Sequence, residues 1–242
     1  MTIRTLAVAA AVATAFAAAS PANASVIDFL FDNNFGPDTS SSPDVVNPGP
    51  FTVSGLTVAV SAFASINGLS LDFVSGIDLS SGNFAVRTVR QDLQPKDGGL
   101  GVDGGTDNLE GNTLAGNSGD EVLVFSFSEV VELVLAEFND APGTTHADTF
   151  SNSGNDFDIA WSADGISFTS LGDFAPFDGA GNDTVALSGT QARYWAIWAA
   201  GSLDEGYVER LSVERVPEPA TLALLGIGLA GLGAAMRRKR VA

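Results

Sequence analysis

Apolar side chains recur at every second position in one segment after another of this chain, a period that fits a strand and not a helix. In Phe51–Phe63 the residues Leu56, Val58, Val60 and Ala62 fall on one face and Thr57, Ala59 and Ser61 on the other. Phe84, Val86 and Thr88 alternate against Arg87 and Arg90, and Asp156–Ser162 turns Phe157, Ile159 and Trp161 inward. Ser25–Phe31, Glu121–Phe127, Val130–Phe138, Ile166–Leu171, Arg193–Trp198 and Tyr207–Val216 supply further strand candidates. Between them lie turn formers: Asn, Gly, Ser and Pro across Asp32–Pro50, and Asp164-Gly165, which reads as a two-residue hairpin turn. Lys96–Gly119 has no periodicity and reads as loop. About nine short strands and no helix in the middle of the chain predict an all-β fold, an antiparallel β-sandwich of jelly-roll type.

The two ends differ from this body. At the N-terminus Arg4 precedes an uncharged run from Leu6 to Ala19, and Ala22-Asn23-Ala24 puts small residues, Ala22 and Ala24, at the positions a signal peptidase reads. Residues 1–24 therefore read as a signal peptide cut after Ala24. At the C-terminus Pro217-Glu218-Pro219 precedes an uncharged run from Ala220 to Met236, and Arg237, Arg238, Lys239 and Arg240 follow at once. A helix over that run would span about 25 Å at roughly 1.5 Å per residue, near the short limit for crossing a bilayer core. The basic cluster would stay on the cytoplasmic side, and the prolines mark the outer edge of the helix as extended chain. This divides the chain into 1–24, an exported body over 25–215 and a tail over 216–242 with a single transmembrane helix at 220–236.

Charge decides which partners suit the body. Of 11 basic residues, Arg4 and the four of the tail cluster lie in the end segments, whereas all 29 acidic residues fall between Asp28 and Glu218. The exported portion therefore carries about −23, which repels nucleic acid and other polyanions and attracts divalent cations. With no cysteine, the protein holds together without disulfides and has no thiolate for zinc or for catalysis. His146, the one histidine, sits in the polar stretch Gly143–Asp148 and reads as an exposed loop residue.

Three constellations could carry chemistry. Gly98–Asp103 matches the start of a calcium-binding nonapeptide, but Gly105 stands where an apolar residue is needed and no second copy follows. An EF-hand starting at Asp103 fails at Asn108 and Leu114. What survives is a looser calcium candidate of hard oxygens, Asp103, Asp107, Asn108, Glu110 and Asp120, set against a plain solvated acidic loop. Carboxylate pairs of the kind glycosidases use are available anywhere among so many acids and carry no information, and no Gly-x-Ser-x-Gly elbow frames a serine. Trp161, Trp195, Trp198, Tyr194 and Tyr207 are either core or a sugar-stacking platform. Tyr194 and Trp195, as neighbours on a strand, point to opposite faces and are the ligand candidates.

The ordered triple of Pro-Glu-Pro, short apolar span and terminal basic cluster resembles the PEP-CTERM sorting tail of exopolysaccharide-producing Gram-negative bacteria, also labelled an ice-binding-protein C-terminal domain. The resemblance implies that a membrane protease-transpeptidase, the exosortase, reads the tail and cuts near the motif, leaving the protein at the cell surface or outside the cell. Within the body, Ile159–Phe168 with its Ser-Ala-Asp-Gly turn, Arg193-Tyr194 and Glu209-x-x-x-Val213 resemble the discoidin-like, galactose-binding-like jelly roll. That fold hosts many functions and implies no ligand by itself. The expectation is a non-enzymatic structural or binding sandwich associated with exopolysaccharide, made with signal peptidase, exosortase and transiently the inner membrane as partners. The alternatives are a carbohydrate-binding module and a secreted hydrolase with acidic catalytic residues.

Overall fold

The computed structural model describes residues 25–31, 45–66, 71, 74–92, 99–103, 114–115, 120–139, 157–174, 184–199 and 205–216. These are strands and their connections, with no helix among them, and Ser25–Arg215 forms a compact unit of its own. The strands are β1 (Val26–Leu30), β2 (Val45–Val46), β3 (Phe51–Val53), β4 (Leu56–Ser65), β5 (Gly76–Asp78), β6 (Phe84–Asp92) and β7 (Gly99–Asp103). They continue with β8 (Leu114–Ala115), β9 (Glu121–Asn139), β10 (Phe157–Ser162), β11 (Ser167–Phe174), β12 (Thr184–Ala186), β13 (Gln191–Ala199) and β14 (Glu205–Arg215). Each described strand pair is antiparallel, and the fold is the expected all-β sandwich.

β9 organises the molecule. Its 19 residues would reach about 60 Å if straight, more than one sandwich layer needs, so it serves both layers in turn. Residues 121–127 pair with β4 and residues 131–139 pair with β14, while β13 and then β12 run along its other edge. Between the two halves Ser128, Glu129 and Val130 are exposed, and the ladder to β13 shifts register there. β4 and β14 thus diverge from β9, and the ladder closes on itself through β6, β7 and a single Val208–Leu100 rung.

The alternation of the central strands is apolar on both faces, which is why they read so strongly from sequence. Leu123, Phe125, Trp195, Ile197, Phe157 and Ile159 enter the larger cluster inside the sandwich. Their neighbours Val122, Val124, Ala196, Trp198 and Ala160 enter a second cluster on the opposite face together with Phe168 of β11, with Leu71 and Ile77 packed against them. The chain between the adjacent strands β4 and β6 supplies that cover. It crosses to the far edge of the sheet, where β5 pairs with β11, and returns, with Ile66 N–H donating to the Asn83 carbonyl at its base.

Several expectations are corrected. Phe51–Phe63 is not one strand but the hairpin β3–β4: Ser54 and Gly55 both have positive φ (51° and 77°), and Val53 pairs with Leu56. That is a two-residue turn of the kind that follows the twist of its strands. The two strands expected at 121–127 and 130–138 are the single β9. Lys96–Gly119 is not all loop, because Gly99–Asp103 is a strand whose Leu100 and Val102 are buried in the larger cluster. Gly99 is required there by close approach: a Cβ would lie 2.7 Å from Tyr207 Cβ and 2.8 Å from the Val208 carbonyl oxygen. On β6 the inward residue is Val89, whereas Val86 is 77% exposed. The Asp164-Gly165 turn is a four-residue connection, Ala163–Ile166, rather than a two-residue one.

Candidate functional site

Several of the described carboxylates are engaged by the protein's own backbone and hydroxyls. In the β10–β11 connection, Asp164 Oδ1 accepts the N–H groups of Ile166 and Ser167, each at 2.9 Å, and the Ser162 hydroxyl at 2.9 Å. Ser162 Oγ in turn accepts the N–H groups of Asp164 and Gly165. Those donors, Ser167 first, then Ile166 and Ser162, favour the ionised form and hold the Asp164 carboxyl below its ordinary range. Asp158 is buried and accepts the Ser170 hydroxyl at 3.0 Å, and Asp28 accepts the Ser212 hydroxyl at 2.6 Å. Glu132 accepts the Gly189 N–H at 2.6 Å.

The aromatic candidates separate. Trp195 is wholly buried and donates its indole N–H to the Ala192 carbonyl at 3.3 Å, so its ring fills the core and offers no face to a sugar. Trp198 and Tyr207 are equally buried, and Trp161 packs half-buried on the larger cluster. Tyr194 lies on the opposite face from Trp195, as neighbours on a strand must, and is half-buried. Gly165 packs against its ring, so close that a Cβ would sit 3.0 Å from Cδ1. The guanidinium of Arg193 lies 5.6 Å from the ring centroid and is oriented by an Nε–H bond to the Phe127 carbonyl at 2.9 Å. Arg193 and Ile166 are exposed beside this ring, a feature that sequence alone did not single out.

The calcium candidates are not brought together in what is described. Asp120 is buried and accepts the Leu71 N–H, which commits it to the cover over the second cluster. The backbone of Asp103 ends β7, while Asp107, Asn108 and Glu110 lie outside the described residues, as does His146. Among the described residues no three His, Cys, Asp or Glu side chains converge as a metal site would require. Among the same residues no helix is long and apolar enough to cross a membrane. Ala22, Ala24, Pro217, Glu218, Pro219, the run 220–236, Arg237, Arg238, Lys239 and Arg240 all lie outside them.

The junction with the tail is described. Arg215 ends β14, opposite Val131 of β9. Its Nη2 donates to the Ser54 carbonyl at 2.9 Å, and its Nε stands 2.9 Å from Glu129 Oε1. That second approach and the one of Arg210 to Glu137 at 2.6 Å are ion pairs whose N–H is not aligned as a hydrogen bond. Both are partly solvated pairs, worth about 0–1 kcal/mol each. Arg215 is thus tied to the β3–β4 turn and to the bend of β9 at the point where the sheet stops, and a known signal begins at that residue. The chain carries a PEP-CTERM protein-sorting motif over residues 215–239. The PEP-CTERM motif marks the chain as an exported exosortase substrate, delivered to the cell surface or beyond it. Pro217-Glu218-Pro219 and the run and basic cluster after it lie within or at the edge of the matched segment.

No curated protein sequence matches the chain. Among solved structures it is similar to CpGH89CBM32-5 from Clostridium perfringens, in complex with GalNAc-β-1,3-galactose, at 16% identity and a TM-score of 0.29. That match covers 39% of this chain and 65% of the other. It is also similar to the CBM32 of AlyQ in complex with 4,5-unsaturated mannuronic acid, at 14% identity and a TM-score of 0.26, covering 45% and 76%. Structures that share so little of the architecture do not bear on the ligand of this one.

Proposed function

We propose that the PEP-CTERM protein is a non-catalytic structural and binding sandwich that is delivered to the cell surface or extracellular matrix and there contacts exopolysaccharide. The observation that carries this reading is where the carboxylates go. A hydrolase of the acidic type needs two of them facing one cleft at a set separation. Among the described residues, Asp28, Asp120, Asp158, Asp164 and Glu132 each accept from the fold itself, and Glu129 and Glu137 face arginines. In this role their acidity serves solubility and architecture. The rim around Tyr194, where the Arg193 guanidinium and the apolar Ile166 are both exposed, is the surface best suited to a sugar among the described residues. Signal peptidase, cutting after Ala24, and the inner membrane are partners in transit. Calcium, held by Asp103, Asp107, Asn108 and Glu110, belongs to the same reading as a structural ion.

Purified Ser25–Arg215 should be retained on the producer's own exopolysaccharide and leave its chain length unchanged. Arg193→Ala with Tyr194→Ala should weaken retention at least tenfold. Shortening of the polysaccharide, abolished by single carboxylate changes, would instead establish the hydrolase alternative.

A further inference from the structure

The strand that leads into the PEP-CTERM motif is also the strand that completes the sandwich. β14 supplies Tyr207, Val208, Leu211 and Val213 to the interior, all at 0% exposure. It pairs with β1, β7, β8 and β9, each of which precedes it in the chain. Because a chain emerges N-terminus first, four earlier strands keep an open hydrogen-bonding edge until the last one arrives. β1 is the extreme case: Val26 lies opposite Glu214 and Leu30 opposite Arg210, and among the described strands β14 is its ladder partner. The motif follows directly, with Val216 alone between Arg215 and Pro217.

The same register places the start of β1 beside the end of β14. The sheet can therefore close with chain still attached at both ends, because Val26 and Glu214 stand opposite each other on neighbouring strands. Once closed, residues up to Arg215 are held by the rung to Val131, the Ser54 carbonyl and Glu129. We propose that the body folds while its sorting tail is still attached, so that the exosortase cuts a folded substrate and the sheet fixes Arg215 as the upstream limit of the cut. The described sandwich is thus both the cargo and the boundary that confines processing to the residues beyond it.

A cysteine pair tests the order of events, and the chain has no native cysteine to compete. Residues directly opposite in an antiparallel pair have Cα atoms about 4.5–5.5 Å apart, within disulfide reach, and the exported compartment is oxidising. Val26→Cys with Glu214→Cys, placed in a full chain whose cut is blocked by Pro217→Ala and Pro219→Ala, should close its disulfide to the same extent as in the processed protein. Closure in processed protein alone, or in neither form, overturns the proposal. The native C-terminus supplies a readout that does not depend on the cysteines folding well. Mature protein from the producing cell should end at Arg215 or later, and a mature form ending before Arg215 overturns the proposal independently.

Discussion

At the scale of single residues, the β10–β11 connection shows how a short polar sequence builds a rigid corner. Ser162 and Asp164 satisfy each other and four backbone N–H groups, and Gly165, at a φ of 77° that L side chains rarely adopt, lies against Tyr194 where a Cβ would press on the ring at 3.0 Å. The low pKa of Asp164 has a direct consequence for stability. Its folded-state value lies below the unfolded one, so the unfolded chain binds the proton more readily. The stabilisation is therefore present in full above the unfolded carboxylate range and is lost as pH falls through the folded value. Asp164→Ala should lower the melting temperature at pH 7, and the gap to the unaltered protein should narrow as the pH falls into the acid range. A gap that is constant across that window would show that the ionised carboxylate is not what holds the corner.

At the scale of elements, β9 and β7 mark the limits of what the sequence reveals. The core strands β4, β10, β13 and β14 were legible because Leu56 to Ala62, Phe157 to Trp161 and Leu211 to Val213 alternate in bulk side chains. β9 reads as two strands in the sequence because Ser128-Glu129 breaks the pattern, yet the backbone continues through an irregularity in its ladder to β13 while its other edge passes from β4 to β14. β7 is not legible in the sequence because Gly99 and Gly101 have no side chain to alternate. What makes it a strand is the contact with Tyr207 and Val208, more than 100 residues later in sequence. The second apolar face was foreseen in part: Tyr194 and Trp195 had to diverge, but the cover from Leu71 and Ile77 depends on a path no local pattern encodes. Trp195 was the misplaced site residue, since period-2 reasoning separates two faces without saying which of them is covered. Gly99→Ala should cost about 1–3 kcal/mol by forcing backbone apart. Loss of amide protection across residues 99–103 and 207–208 should accompany it in hydrogen exchange. Gly49→Ala, where a Cβ meets nothing within 4 Å, should be near neutral, and equal costs at the two positions would refute the close-approach account of β7.

At the scale of the whole molecule, charge and delivery are the two governing facts. The body Ser25–Arg215, near −22 once Glu218 is left with the tail, resists compaction by self-repulsion, screened beyond about 8 Å at physiological salt. A calcium ion held by Asp103, Asp107, Asn108 and Glu110 would relieve it locally, adding about 2.7 kcal/mol at a hundredfold excess over its dissociation constant. Millimolar calcium should therefore raise the melting temperature of Ser25–Arg215 more than magnesium does at equal ionic strength, because magnesium keeps its waters and demands stricter octahedral geometry. Equal shifts would reduce the effect to screening. Delivery rests on the segment over 215–239, which begins on the last residue of the closing strand. The most direct test of that link is the intact mass of the protein recovered from its producing cell. The expected mass lacks Arg237, Arg238, Lys239 and Arg240 and corresponds to a C-terminus shortly after Arg215, whereas a mature species that retains the whole basic cluster would contradict processing at the PEP-CTERM motif.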